Sequence, residues 1–441
     1  MVAESSVASV DHGRDDLDES SFVDRGEEVL NHFVRRMENR GWDSSAVRES
    51  LVGGASDVTD VWLAMKRVYG LGVKETALME SPWLENALQM GIMEDWTTSV
   101  TIESLGSLDE RDLSGGSLRK ARAPRVWLKM ENTQSTGSFK VRGACNALTA
   151  KLEEDAEARF VCSSTGNHAL ACIHAIGALR KQGARVPDEV LDIYLPGSVS
   201  KRKLAKIERE ARLVGGVNVM VLNGVEDCVA TEVLARREAA ATGRHYVSPY
   251  NDTDIIAGQA TIAMELLMEL SPNQLDYVFV PVGGGGLICG IAKVIKKLAP
   301  GVKIVGCQAA ASPVMMRSVE EGCIVEMEWE ETLAEGLVGG IEAESCTFEG
   351  CKTLVDEWVT VSESEIARAL VGVHGHHAQV IEGAAGATIA AIIKRCGSMR
   401  DKGVVGIVCG GNLSATLLDR AYDVARGAGE DHAGSSRASA F

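Results

Sequence analysis

Seven short β-branched and aliphatic runs, at residues 126–130, 159–162, 190–195, 217–222, 277–282, 302–307 and 404–409, alternate with stretches of helical periodicity. Strands separated by helices predict an α/β fold of open, twisted parallel sheets with flanking helices. A chain of 441 residues exceeds what one hydrophobic core usually organises, so two domains or a domain with an appendage are expected.

The division read from the sequence has five parts. Residues 1–21 are rich in Ser, Asp and Glu and are expected to be disordered. Residues 22–97 form a helical N-terminal extension: Val29, Leu30, Phe33 and Met37 fall at helical spacing, as do Val61, Leu63, Met65 and Val68 with some drift. A large domain takes residues 98–158 and 236–425, a small domain takes 159–235, and 426–441 form a flexible tail. No chemistry is visible in the extension.

A formal charge of −17 argues against nucleic acid as a partner. No apolar run reaches the roughly 20 residues needed to span a bilayer. The N-terminus is acidic and lacks the basic-then-apolar order of a leader. Eleven cysteines without framework spacing point to reduced thiols and a cytoplasmic location.

Four segments at strand ends carry the candidate chemistry. In Glu131-Asn-Thr-Gln-Ser-Thr-Gly-Ser-Phe139-Lys140-Val-Arg-Gly-Ala144, Lys140 stands just inside a helix after a strand and a Ser/Thr/Gly turn. Desolvation there would lower its pKa and make the neutral amine a nucleophile and base; an ordinary solvated lysine is the bland alternative. The loop Ser163-Ser164-Thr165-Gly166-Asn167-His168 opens a helix and suits a carboxylate, or else is an elaborate N-cap. Gly283-Gly284-Gly285-Gly286-Leu287, again between strand and helix, fits a phosphate; it lacks the spacing of a dinucleotide fingerprint and the Gly-Lys-Ser/Thr of a P-loop. Cys409-Gly410-Gly411-Asn412 ends the last strand and could be a plain turn. Upstream, Ser362 and Glu365 form a capping box, and Glu382 stands alone among small and apolar residues, which makes it a candidate site group.

A reactive lysine, a carboxylate loop and a phosphate cradle without a nucleotide fingerprint describe a pyridoxal phosphate site. From about residue 100 to 425 the chain resembles the fold-type II, tryptophan-synthase-β-like PLP enzymes of the threonine dehydratase, serine dehydratase and serine racemase family. It keeps five of that family's motifs in order: Ser-Phe-Lys-x-Arg-Gly, Ser-x-Gly-Asn-His, Ala-Gly-Gln-x-Thr at Ala257 to Thr261, the tetraglycine loop and Gly-Gly-Asn.

The resemblance implies roles by position. Lys140 would hold pyridoxal 5'-phosphate covalently and take the substrate α-proton. Phe139 would pack beside the cofactor and Asn167 would bond its ring hydroxyl. Gly283, Gly284, Gly285, Gly286 and the Leu287 N–H would hold the phosphate, and Ser163 to His168 the substrate α-carboxylate. Glu382 is assigned to the cofactor-binding set. Cys409 would face the pyridine nitrogen as a neutral partner, a setting that suits β-elimination. The implied reaction is dehydration and deamination of L-threonine, L-serine or a related β-hydroxy amino acid to a 2-keto acid and ammonia, by a homodimer.

Departures bear on the choice within the family. Racemases of this kind place serine where Thr165 stands; Thr165 keeps a hydroxyl but its β-branching limits its rotamers, so a racemase is the alternative, beside a non-catalytic PLP-binding protein. Gln308, Ser312 and Val314 lack the carboxylates of the racemase cation site, so no metal is expected there. His374-Gly375-His376-His377 has no cysteine or acid cluster nearby and is not read as a metal site. Cys346 and Cys351 could face each other across a turn but are read as reduced thiols.

Overall fold

The computed structural model describes residues 26–52, 59–89, 123–225 and 228–437. The expected disordered segment 1–21 lies outside them. Among the described residues ten strands form two sheets. In chain order they are β1 (Leu78–Glu80), β2 (Arg125–Lys129), β3 (Phe160–Ser163), β4 (Leu191–Pro196), β5 (Val217–Leu222), β6 (His245–Tyr246), β7 (Tyr277–Pro281), β8 (Lys303–Ala309), β9 (Glu357–Val361) and β10 (Gly403–Ile407). The six-stranded sheet has the order β1-β2-β10-β7-β8-β9, and the four-stranded sheet β5-β4-β3-β6. Every pairing is parallel except β1 with β2.

Each of the seven runs read from the sequence becomes a strand within a residue or two of its expected ends. Most are buried along nearly their whole length, as strands covered by helices on both faces must be. The short β1 and β6 and the half-buried β9 carry no comparable apolar run, which is why they escape a sequence reading.

The smaller unit draws on more chain than 159–235. Strand β6 pairs with β3, and Val141, Ala144, Cys145 and Leu148 of helix Lys140–Glu154 join its core with residues of β3, β4 and helix Asn167–Lys181. The helix that begins with Lys140 therefore belongs physically to the second core while its N-terminus meets the first sheet.

The N-terminal extension is not an appendage. Leu30, Phe33, Val34 and Met37 of helix Gly26–Asn39 lie on one buried stripe and share the main core with the large sheet. The Trp42 indole donates to the Leu270 carbonyl at 2.9 Å, and Lys293 meets Asp60 at 2.8 Å. In helix Thr59–Gly70 the buried residues include Val61, Trp62, Met65 and Val68, whereas Leu63, which the spacing placed with them, points outward at 45% exposure.

The segment expected to fray after residue 425 instead continues helix Ala415–Arg437. The capping box forms as expected: the Glu365 N–H donates to Ser362 Oγ at 3.3 Å, and the Ser362 N–H donates to the Glu365 carboxylate at 2.7 Å.

Candidate active site

One cavity of about 680 Å³ gathers loops from the carboxyl ends of β2, β3, β7 and β10, the side of a parallel sheet where the following helices point their N-termini. It is lined by Phe139, Lys140, Ser164, Thr165, Gly166, Asn167, His168, Gly283 to Leu287, Glu382 and Cys409. Of the candidate residues only Ser163 stands back, as the last residue of β3.

Lys140 is the first residue of its helix, and its Nζ donates to the Pro249 carbonyl at 2.7 Å. Its ammonium lies 5.1 Å from the centre of the Phe139 ring. Burial lowers its pKa to about 8, against weaker upward pulls from Cys409, Cys172 and Glu382. About a tenth of the amine is thus unprotonated at pH 7, far more than for a solvated lysine. Cys409 is buried, and burial, with Glu382 adding, pushes its thiol well up, so it stays uncharged.

Two long helices aim their N-termini at this cavity, and neither has a side-chain cap. At helix Asn167–Lys181 the N-cap is Gly166, with no capping side chain. The Ser164 hydroxyl accepts the Gly166 N–H at 3.3 Å, and Asn167 turns away to Glu382. The elaborate cap that the sequence allowed does not form. Open N–H groups and the helix dipole remain available to an anion.

At helix Gly286–Leu298 the N-cap is Gly285, in the left-handed region at φ +86°. A Cβ on Gly284 would lie 2.4 Å from the Tyr250 ring, so the backbone can wrap there only without side chains. The Thr347 hydroxyl pins the loop by donating to the Gly284 carbonyl at 2.6 Å.

A polar clamp joins the second and fourth segments through Glu382. Asn167 Nδ2 donates to Glu382, the Asn412 N–H donates to Glu382 Oε1 at 2.8 Å, and Asn412 Nδ2 donates to Asn167 Oδ1 at 2.7 Å. Burial raises the Glu382 pKa, while Asn167 and the Asn412 N–H oppose the rise. Gly410 is required beside it, because a Cβ there would lie 2.9 Å from the carboxylate. His168 is buried, with its pKa lowered to about 3 by burial and then by Lys140. Its Nε2 sits 2.9 Å from the Val247 carbonyl, which can only accept, so the ring is anchored by Nε2–H.

A buried charge network that the sequence did not announce lies behind the lysine. Arg142, two residues on from Lys140, bonds Glu131 at 2.7 Å and Glu265 at 2.5 Å, all with fully buried side chains. Lys129 joins at 2.7 Å from Glu265. The extension completes it: Tyr69 donates to Glu265 and Thr76 to Glu131, each at 2.5 Å. Single charged residues in apolar surroundings are the only sequence sign of such a network, and partners up to 196 positions apart cannot be matched from spacing.

Among the described residues no group of three His, Cys, Asp or Glu is placed to hold a metal. His374 meets the Tyr422 hydroxyl, His376 stacks on Trp83, and His377 lies 2.8 Å from Ser81 Oγ. Gln308 bridges the Val282 carbonyl and the Met316 N–H. Cys346 is exposed while Cys351 turns inward, 3.7 Å from Cys289.

The chemistry of this donor set suits pyridoxal phosphate: a depressed lysine amine for its aldehyde, an uncapped glycine-lined helix start for its phosphate, and the neutral Cys409 thiol in the same lining. Comparison with known proteins agrees. Over 304 residues, 69% of this chain and 71% of the relative, the sequence is 36% identical to the L-threonine ammonia-lyase of Thermotoga maritima. The fold matches a threonine deaminase from T.th. with a TM-score of 0.62 at 27% identity, covering 81% of this chain and 98% of that one. It matches the serine racemase of Dictyostelium discoideum equally well, with a TM-score of 0.63 at 26% identity over 81% and 98%. Residues 113–410 match the family described as pyridoxal-phosphate dependent enzyme, and the chain belongs to it.

Proposed function

We propose that this enzyme is an ammonia-lyase that removes the β-hydroxyl of L-threonine, L-serine or a related β-hydroxy amino acid and yields a 2-keto acid and ammonia. The observation that carries the reading is Lys140: a half-buried amine with a pKa near 8, in one cavity with two uncapped helix N-termini. The relative named an L-threonine ammonia-lyase, matched along most of its length, supports elimination over racemisation, which fold similarity alone does not separate.

Pyridoxal phosphate, when bound, supplies the electron sink that acidifies the substrate α-carbon. In this reading Gly283 to Gly286 and the Leu287 N–H hold its phosphate, Phe139 packs beside it and Asn167 bonds its ring hydroxyl. The first turn after Gly166, with the Ser164 and Thr165 hydroxyls, orients the α-carboxylate; His168 contributes its backbone N–H, since its ring is anchored to Val247. Lys140 takes the α-proton. The proton and the β-hydroxyl leave as water, and one water is consumed in releasing ammonia. Cys409, uncharged, would serve as a neutral partner to the ring nitrogen without protonating it.

Thr165 keeps a hydroxyl in the cavity where racemases of this kind place serine, but its β-branching limits its rotamers, which disfavours racemisation. The nine cysteines whose side chains the structure describes are unpaired, which supports a reducing, cytoplasmic setting; the homodimer remains part of the proposal. The test is a keto-acid assay across β-hydroxy amino acids, with Lys140→Ala as control and chiral analysis of residual serine. No keto acid from any substrate with PLP bound refutes the reading; D-serine in its place establishes the racemase.

A further inference from the structure

The wall of the cavity that faces the clamp is basic, and its charges stand where local physics disfavours them. Helix Lys201–Val214 starts at Ser200, whose hydroxyl accepts the Lys203 N–H at 3.3 Å. Its first turn holds Lys201, Arg202 and Lys203 and no acidic residue, so three cations sit at the positive end of the helix dipole. Arg202 and Lys206 are four residues apart, where like charges on a helix repel. Both line the cavity, as does Lys203.

Carboxylates that could answer them are engaged elsewhere. Glu335 pairs with Lys203 at 3.1 Å, Glu210 with Arg209 at 2.6 Å, and Glu382 is taken by Asn167 and Asn412. Lys206 Nζ meets a neutral acceptor, Asn412 Oδ1, at 2.9 Å. Among the described residues neither Arg202 nor Lys206 makes an ion pair. Burial in the cleft wall draws the Lys206 pKa below its ordinary value, as do Arg209 and Arg202, while Glu210 and Glu382 oppose.

Uncompensated cations in a chain of net charge −17 break local rules at a site, and such breaks are expected where a ligand supplies the missing partner. Through Asn412, Lys206 is two hydrogen bonds from Asn167 and the carboxylate loop. The substrate α-carboxylate and the cofactor phosphate already have the two helix N-termini. We propose that Lys206 and Arg202 recognise a second anionic group on the β-carbon side of the substrate, so that the preferred substrate is an amino acid whose side chain carries a carboxylate or a phosphate. This rests on the ammonia-lyase reading and narrows its substrate class.

Holoenzyme titrated with L-aspartate and with L-asparagine, and followed by the visible spectrum of the cofactor, isolates the charge because the two ligands differ in little else. We expect aspartate to bind about tenfold tighter or more at low salt, with the gap narrowing as salt is raised. Lys206→Met should remove most of the preference and Lys206→Arg should keep it, with PLP affinity unchanged in both. O-Phospho-L-serine in the same titration separates a phosphate site from a carboxylate site. In turnover, 3-hydroxy-L-aspartate should exceed L-threonine in kcat/KM.

Equal binding of aspartate and asparagine overturns the proposal, as does a preference that survives a Lys206→Met, Arg202→Met double variant. So does a variant whose only loss is PLP affinity, which would place the cations on the cofactor. Efficient elimination of L-threonine without the aspartate preference would sink this inference alone; absence of all elimination would sink the reading beneath it.

Discussion

Asn167 and Glu382, 215 positions apart, meet in a two-point contact: the amide nitrogen of Asn167 lies 2.9 and 3.0 Å from the two carboxylate oxygens. The contact ties the loop after β3 to the segment before helix Gly383–Arg395, and so joins the two sheets across the cavity.

Removal of this carboxylate strands the Asn167 amide and the Asn412 N–H together. Glu382→Ala should weaken PLP binding about tenfold to a hundredfold, roughly the cost of one unmatched polar group at about 1–3 kcal/mol. Titration of apoenzyme with PLP, read by fluorescence quenching, measures it. Unchanged affinity would remove Glu382 and its clamp from the cofactor site.

The amine of Lys140 must lose its proton before it can attack an aldehyde. With a pKa of about 8, the rate at which apoenzyme captures PLP should rise with pH and level off above about 8, rather than keep rising to the ordinary lysine value of 10.5. Stopped-flow absorbance across pH 6.5 to 11, with Lys140→Ala as blank, gives the midpoint. A midpoint near 10.5 would mean that burial does not tune this lysine. Keto-acid formation by Lys140→Ala should fall about a hundredfold to ten-thousandfold.

The parts of this site that the sequence discloses are those whose physics is local. Gly283 to Gly286 advertise a backbone that must run bare, and Lys140 and Asn167 stand at strand-to-helix turns where anything functional in a parallel sheet gathers. Tyr250 is different: a Cβ on Gly284 would strike its ring, yet nothing in the sequence around Tyr250 points to a glycine loop 34 residues away. The role of the extension was hidden for the same reason. Tyr69 looks like one more apolar-face residue until Glu265 is placed against its hydroxyl.

That buried network makes a separate prediction about stability. Arg142→Met should cost about 3–5 kcal/mol, because Glu131 and Glu265 would remain buried without their cation. Tyr69→Phe should cost less, about 1–3 kcal/mol, from one unmatched carboxylate oxygen. Burial alone would raise the Glu265 pKa, but Arg142 and Lys129 hold it below the ordinary 4.5. Below 4.5 the unfolded chain therefore takes up a proton that the folded chain refuses, so this group's stabilisation is full above that pH and is lost as pH falls through the depressed value. In Arg142→Met the carboxyl pKa rises, and the acid-side slope of stability should flatten or reverse. Urea unfolding at pH 3.5, 5 and 7 tests both claims; parallel slopes in the two proteins would rule out the ion pair as their source.

Gly284 provides the sharpest separation of cradle from scaffold. Its carbonyl is held by Thr347 and its Cα faces the Tyr250 ring so closely that a methyl group would have to push the ring or the loop aside. Gly284→Ala should therefore reduce PLP affinity by about tenfold or more, through a displaced helix N-terminus rather than a lost side chain. Tyr250→Ala removes the obstruction, so the Gly284→Ala, Tyr250→Ala double variant should bind PLP better than Gly284→Ala alone. Apoenzyme titrations of all three against wild type give the coupling. Additive losses would mean that the ring does not shape the loop.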